Sequence, residues 1–156
     1  MAAVAVKVMA LRASLDPVDL TRKEFRLRIE GGRLYLSEHG LALLLPPGLP
    51  LTLQRITPGM LHFQARAAGF NVALQVRPSV TAAGRLRLPI TGLMGFVAPI
   101  LLGVMKEKLA GKPGLHLTPA NEIELDLAEI VAYVSQVELP PLKAARAGDG
   151  IAELEF

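Results

Sequence analysis

The sequence predicts an α+β domain in which a strongly curved, mostly antiparallel sheet wraps around one long apolar helix, with two short helices beside it. Successive short segments alternate apolar and polar residues between turn residues, which is typical of a meander of β-hairpins. One stretch, Leu88 to Met105, runs for 18 residues without a charged side chain, and an element that apolar has to be covered. At 156 residues, a single domain over 1–156 is expected.

The apolar stretch is the element around which the sheet is expected to fold. Eighteen helical residues would be about 27 Å long, close to the length of a membrane span. Proline and glycine interrupt it, however, and we expect a helix that kinks at Pro99 or begins there. It should continue to Ala110, before Gly111 to Gly114 ends it. Sheet, lipid or another subunit could cover its apolar surface, and the sequence leaves all three open.

The first strands are expected near the N-terminus. Val4 to Leu15 is mostly apolar and predicts a strand that ends in a turn at Asp16-Pro17. Phe25 to Glu30 alternates, with Phe25, Leu27 and Ile29 on one face. Gly31-Gly32 then predicts a two-residue hairpin connection to a returning strand that contains Leu34 and Leu36.

Two short helices follow from capping residues. Ser37 can cap a helix from Glu38 to Leu44, which a Pro-Pro-Gly run at 46–48 ends. Asp126, with Glu129 three residues later, fits a capping box that opens a helix to about Val134. The remaining alternating segments predict strands over Leu51 to Ile56, Met60 to Arg66, Phe70 to Arg77, Arg85 to Ile90, Glu122 to Asp126, Leu142 to Arg146 and Ile151 to Phe156.

The inward-facing side chains of these elements predict how the interior is lined. The concave side of the sheet is expected to carry Phe25, Leu27, Leu61, Phe63, Val72, Leu74, Leu86 and Leu88. The helix is expected to face it with Phe96, Ile100, Leu101, Val104 and Met105. Such an interior would be almost wholly aliphatic, because aromatic residues make up only 4% of the chain.

Composition limits the classes of function. Hydrophobic residues make up 51% of the chain and the mean hydropathy is +0.40, an excess that must enter a core, a cavity, an oligomer interface or a membrane contact. The absence of cysteine excludes disulfides and thiolate chemistry. Lys7 interrupts the short N-terminal apolar segment, which therefore does not resemble a secretory signal. We expect a cytoplasmic protein, with association with a membrane left open.

Charge is distributed unevenly. Residues 1–112 carry 15 Lys and Arg against 6 Asp and Glu, a net charge of +9, whereas residues 113–156 carry 2 against 8, a net charge of −6. The two parts could pair internally, or the basic part could face an anionic partner. Lipid headgroups are favoured over nucleic acid as that partner, because the two tyrosines are isolated and no aromatic residues alternate with the basic ones. A charged exterior that only maintains solubility is the simplest alternative.

No arrangement of residues predicts catalysis, a metal or a cofactor. His39, His62 and His116 each stand alone, without a second ligand or triad partner at a recognisable spacing. Glu122 and Glu124 alternate with apolar residues, which favours a solvated acidic strand face over an acid-base pair. An enzyme is therefore the third interpretation, behind two kinds of binding protein.

The pattern resembles a known family. Leu34-Tyr35-Leu36-Ser37-Glu38, followed by Leu41, Leu43 and Leu44, the successive hairpins, the apolar helix and the closing strand to Phe156 are similar to the LmeA-like phospholipid-binding family. More loosely, they resemble the tubular lipid-binding (TULIP-type) domains, over roughly residues 24–156. The resemblance implies a curved sheet around a helix, an acyl-chain cavity and no active site. Members of that family are usually exported, which differs from the compartment expected above.

The sequence thus predicts a non-enzymatic protein that binds a lipid or another apolar molecule between sheet and helix. The residues expected to bind the apolar part are Phe63, Val72, Leu74, Leu88, Phe96, Ile100, Leu101, Val104 and Met105. Arg87, Lys106 and Lys108 are expected near an anionic headgroup, with peripheral contact to an anionic membrane left open. The alternative is an interaction or scaffold module with a filled core, which forms a homodimer through the apolar helix.

Overall fold

The fold is described from a computed structural model, which covers residues 6–19, 24–45, 48–67, 69–90 and 97–156. Strands and short helices alternate along these ranges. The strands are β1 (Val6–Asp19), β2 (Glu24–Ser37), β3 (Leu51–Thr57), β4 (Met60–Ala67), β5 (Phe70–Val76), β6 (Ser79–Val80), β7 (Leu86–Pro89), β8 (Leu115–Leu117), β9 (Glu122–Leu125), β10 (Val137–Glu138), β11 (Ala144–Ala147) and β12 (Ile151–Glu155). The helices are α1 (Glu38–Leu44), α2 (Val97–Leu109) and α3 (Leu127–Val134).

In the described ranges, the strands form three separate sheets. One sheet has the order β1-β2-β12-β11, with β10 added parallel to β2. The second is the meander β3-β4-β5, and the third has the order β6-β7-β9-β8. All three sheets and all three helices contribute buried side chains to one hydrophobic cluster, so a common core holds them together.

The expected architecture, one strongly curved sheet around a long apolar helix, is wrong. The protein is mostly β, and α2 is a helix of 13 residues that none of the three sheets wraps. The meander of consecutive hairpins stops after β5, because β7 pairs with β9 and β2 pairs with β12. The 18-residue apolar stretch is also divided, since Leu88 lies in β7 and the described helix begins only at Val97.

The predicted hairpin at Gly31-Gly32 is wrong as well. β2 continues through both glycines as one strand of 14 residues and pairs with β1 along its length. The register shifts here, from Arg12 opposite Gly31 to Ala13 opposite Ile29, which is a β-bulge. On the other edge, Gly32 and Phe156 exchange two backbone hydrogen bonds. Paired on both edges, the glycines cannot turn the chain back, and β1 likewise continues past the expected turn at Asp16-Pro17.

The local predictions fared better. Both short helices have the expected bounds, and their caps are formed: Ser37 Oγ accepts a hydrogen bond from Gly40 N–H at 3.1 Å, and Asp126 Oδ1 accepts one from Glu129 N–H at 3.1 Å. The predicted strands in the third to fifth described sections occur with ends that differ by one or two residues. Capping residues and alternation thus predicted where most helices and strands lie, but they did not predict which strands pair.

Hydrogen bonds also join elements of different sheets. The β3–β4 turn meets the β11–β12 hairpin, where Gly59 N–H donates to Ala147 O at 2.8 Å and Gly150 N–H donates to Ile56 O at 3.0 Å. Helix α1 is fastened to β3, because Glu38 Oε1 accepts from Ile56 N–H at 2.9 Å. These contacts place the three sheets around the core in a defined arrangement.

Candidate functional site

Helix α2 positions the candidate site. Pro99 is its third residue, so the missing proline N–H falls among the first-turn groups that have no intrahelical partner in any case. The helix ends before Gly111, which has a φ of +71°. Lys106 and Lys108 lie in its last turn, where positive charge stabilises the helix dipole.

Most of the predicted ligand-binding residues are part of the filled core. Leu101 and Met105 are 0% exposed and, with Leu109, form the buried stripe of α2 at i, i+4 and i+8. The corresponding sheet residues Phe63, Leu74 and Leu88 are buried in the same cluster, and Val72 is half-buried against it. These side chains stabilise the fold, and apart from Leu109 none of them lines the surface depressions described below.

The other predicted helix residues have a different environment. Ile100 and Val104 are 40% and 36% exposed and lie on the solvent side of α2. Gly103 lies between them, and a Cβ added there would meet nothing within 4 Å. Phe96 and the side chain of Phe25 lie outside the described part of the chain. The apolar circumference of α2 is therefore only partly covered by the described protein.

Arg87 is not available as a headgroup ligand in the way expected. It lies opposite Glu124 in the β7–β9 pair, and its Nε is 3.8 Å from a carboxylate oxygen of Glu122. Arg85 pairs with the same acidic row, at 3.4 Å from Glu124 and 3.5 Å from Asp126. The two strands thus neutralise each other across the sheet. Glu122, Glu124 and Asp126 are therefore half-buried and compensated by arginines, and they do not form the solvated acidic face that was predicted.

A groove lies between α2 and β8, the edge strand of the four-stranded sheet. It consists of two depressions of about 430 Å³ and 420 Å³ that share Lys106 and Leu117, and both open to the surface. We call this the α2–β8 groove. Its walls are largely apolar, with polar groups at a few positions. The residues used below are Leu102, Lys106, Leu109, Lys112, Leu115 and Leu117.

Two cations project at this groove. Lys106 follows Leu102 at i+4 and precedes Leu109 by three residues, so all three share one side of α2. Lys112 comes from the loop after the helix. Among the described residues, neither ammonium group has an ion-pair partner. Lys108, also predicted to bind a headgroup, is exposed but does not line the groove.

Of the three residues predicted to bind a headgroup, Lys106 is the one that lines this groove. Lys112 was expected in a basic cluster with Lys106 and Lys108 at the end of the helix but was not named as a headgroup ligand, and β8 was not predicted. The signal for β8 is present but short: Leu115-His116-Leu117 alternates, with Leu115 buried and His116 exposed opposite Glu124. Three residues are too few for periodicity to distinguish a strand from a loop.

The remaining polar groups do not converge on a reactive centre in the described ranges. His62 Nε2 is 2.7 Å from the Thr57 hydroxyl oxygen, while His39 and His116 are exposed. No cluster of three or more potential metal ligands occurs in the described part of the chain. Likewise, none of the helices that the structure describes is both long and apolar enough to cross a bilayer.

Comparisons with protein-family models, curated proteins and solved structures give no match. The resemblance to LmeA-like proteins therefore stays a prediction from the sequence pattern, and the function has to be argued from the site.

Proposed function

We propose that this protein is a non-enzymatic binder of an amphiphile with an anionic head and an aliphatic body, such as a fatty acid or an acidic lipid, in the α2–β8 groove. The observation that carries the proposal is the combination of apolar walls with two cations, Lys106 and Lys112, that no described carboxylate neutralises. The proposed ligand site thus lies on the surface of α2, whereas the sequence predicted a site in the interior beside the same helix.

The groove supplies the two interactions that such a ligand needs. Leu102 and Leu117 are half-buried and offer aliphatic surface, and each methylene removed from water contributes about 0.8 kcal/mol. The ammonium group of Lys106 can pair with a carboxylate or phosphate, a surface contact worth up to about 1 kcal/mol. The two depressions each fall within the roughly 300–1,000 Å³ typical of small-molecule sites. Because the groove is open, we expect reversible binding.

Replacing Lys106 with glutamine should weaken the binding of a fluorescent fatty acid by about fivefold, because the carboxylate loses its cation. Lys108 provides the matched control, since it lies on the same helix and is exposed but does not line the groove. Lys108→Gln should change the dissociation constant less than about twofold. Both are measured by fluorescence titration of the purified proteins.

The requirement for an anionic head group can be tested separately, with a fatty alcohol of the same chain length that competes with the fluorescent fatty acid. A fatty alcohol lacks the anion, so Lys106→Gln should leave its competition unchanged. Equal losses for Lys106→Gln and Lys108→Gln, or no saturable binding by the unmodified protein, would overturn the groove as the site.

A second candidate function, self-association, is favoured by the exposed side of α2. Ile100 and Val104 flank Gly103, so another surface can approach the helix backbone closely there. Standard interfaces bury about 1,600 Å² in total, and a helix of 13 residues is about 20 Å long. The helix could therefore form the centre of a homodimer interface, with surrounding surface completing it.

If α2 mediates a dimer, Val104→Arg should convert a concentration-dependent mass into that of the monomer, because a charge would be buried in the interface. Leu43→Arg is the control, since Leu43 is 40% exposed on α1 and away from α2. Analytical ultracentrifugation over a range of concentrations measures both. A monomer at every concentration before any substitution would refute this candidate, and it would leave ligand binding unaffected.

A further inference from the structure

The outer side of the three-stranded sheet is a positively charged surface without acidic residues. Its outward side chains include three exposed arginines, Arg55, Arg66 and Arg77, among uncharged polar groups such as Gln64, Asn71 and Gln75. No Asp or Glu occurs between Glu38 and Glu107 in the sequence, so the sheet cannot supply a counter-charge of its own. We call the surface formed by these six residues the basic face.

The register of β3, β4 and β5 places the three arginines on different strands and at different positions along them. Arg55 lies opposite His62, which lies opposite Gln75, so this row crosses all three strands. Arg66 lies opposite Asn71, four residues further along β4, and Arg77 follows the last residue of β5. With about 4.8 Å between strands and 3.4 Å per residue, the three arginine Cα atoms span roughly 20 Å by 10 Å.

A β-bulge contributes to this surface. In β3, Leu53 and Ile56 both face inward, although strict alternation would place Arg55 inward after Leu53. The register shift between Leu53 and Arg55 changes the phase of the strand, so that Gln54 and Arg55 are both exposed. Bulges redirect side chains in this way, and this one places a third cation on the basic face.

In the other two sheets, most of the described arginines lie beside carboxylates, with Arg12 and Arg26 of the first sheet as the exceptions. Arg85 and Arg87 lie beside the acidic row of β9. Arg33 and Arg146 both pair with Glu153 and Glu155, at distances of 3.2 to 3.9 Å. On the basic face, by contrast, none of the three arginines has an ion pair with a described residue. No described carboxylate therefore neutralises its positive charge, which is directed outward.

We infer that the basic face docks on the surface of an anionic phospholipid bilayer. The complementarity is one of charge: three guanidinium groups, which suit bidentate contacts to phosphate, face a plane of phosphodiester anions. A nucleic acid is disfavoured because the six residues of the basic face include no aromatic side chain for base stacking. Phe70 on β5 is 54% exposed, but it alternates in phase with the inward residues Val72 and Leu74. This inference rests on the sheet alone and is independent of the α2–β8 groove.

Vesicle sedimentation tests the inference. The protein should bind phosphatidylcholine vesicles that contain phosphatidylglycerol, should not bind phosphatidylcholine alone, and should be released by high salt. Each arginine near an anionic surface strengthens binding roughly fivefold, so the triple variant Arg55→Gln, Arg66→Gln and Arg77→Gln should lose about a hundredfold. Arg55→Gln alone should lose about fivefold and keeps the test valid if the triple variant does not fold.

The matched control removes equal charge elsewhere. Arg12→Gln, Arg26→Gln and Lys143→Gln together change three exposed cations off the basic face, and both triple variants bring the formal net charge from +3 to zero. The control should retain vesicle binding within severalfold. An equal loss in both variants, or binding to neutral vesicles, would overturn the inference. So would tighter binding to single- or double-stranded DNA than to the anionic vesicles.

Discussion

Leu101→Ala is expected to lower the free energy of unfolding by about 2–5 kcal/mol, because the side chain is 0% exposed and its removal leaves a cavity between α2 and the sheets. Ile100→Ala, one residue earlier on the same helix, should cost about 1 kcal/mol or less, since Ile100 is 40% exposed. Urea denaturation followed by circular dichroism measures both values.

The comparison of these two variants shows whether Leu101 stabilises the core or lines a ligand cavity. A small loss for Leu101→Ala, with ligand uptake reduced, would mean that Leu101 lines a cavity as the sequence predicted. A large loss means that Leu101 is structural. In that case Leu101→Arg would abolish binding only by unfolding the protein, and it could not be used to locate a ligand.

Gly84→Ala is expected to destabilise the protein by roughly 2–5 kcal/mol for two separate reasons. Its φ is +77°, where a Cβ costs about 1–2 kcal/mol. In addition, the new Cβ would overlap Pro141 Cβ and lie 3.0 Å from Pro141 Cα, and the rigid proline cannot relieve this overlap. The same residue accepts a hydrogen bond from Leu142 N–H at 3.1 Å, so a shift of the loop would also strain that contact.

Gly59→Ala separates the cost of the positive φ from the cost of the steric overlap. Gly59 has a φ of +81°, but a Cβ there meets nothing within 4 Å, so only the backbone term of about 1–2 kcal/mol applies. The thermal midpoint of Gly84→Ala should therefore fall clearly below that of Gly59→Ala. Equal midpoints would show that the loop at Gly84 moves away from Pro141 without cost.

The two proposed binding surfaces are separate parts of the molecule. Helix α2 packs against β4, both contribute side chains to the same core, and the α2–β8 groove lies beside that helix. The basic face is the opposite, outward side of the same strand. Ligand binding in the groove is measured without vesicles, and docking is measured without a free ligand, so each proposal can fail without the other.

Sequence reasoning was strongest where the deciding interactions are short in range. The cap at Ser37, the cap at Asp126 and the inward alternation of Leu61 and Phe63 each depend on residues within one turn or one strand. These features were predicted and are present. The candidate site was predicted less well: Lys106 lies in the groove, whereas Leu101 is in the core and Arg87 is paired with acids.

The sequence by itself determined the two short helices, most strand positions and the faces that these strands bury, because capping and periodicity operate between near neighbours. Only the tertiary structure decided which strands pair, that β2 runs through Gly31-Gly32, and which side of α2 is covered. Which strands pair depends on residues far apart in the sequence. Examples are the backbone hydrogen bonds between Gly32 and Phe156 and the ion pair between Arg28 and Glu138. Gly31 and Gly32, which could form a turn, stay in the strand next to a bulge at Glu30, because strands on both edges supply hydrogen bonds that a hairpin would forfeit.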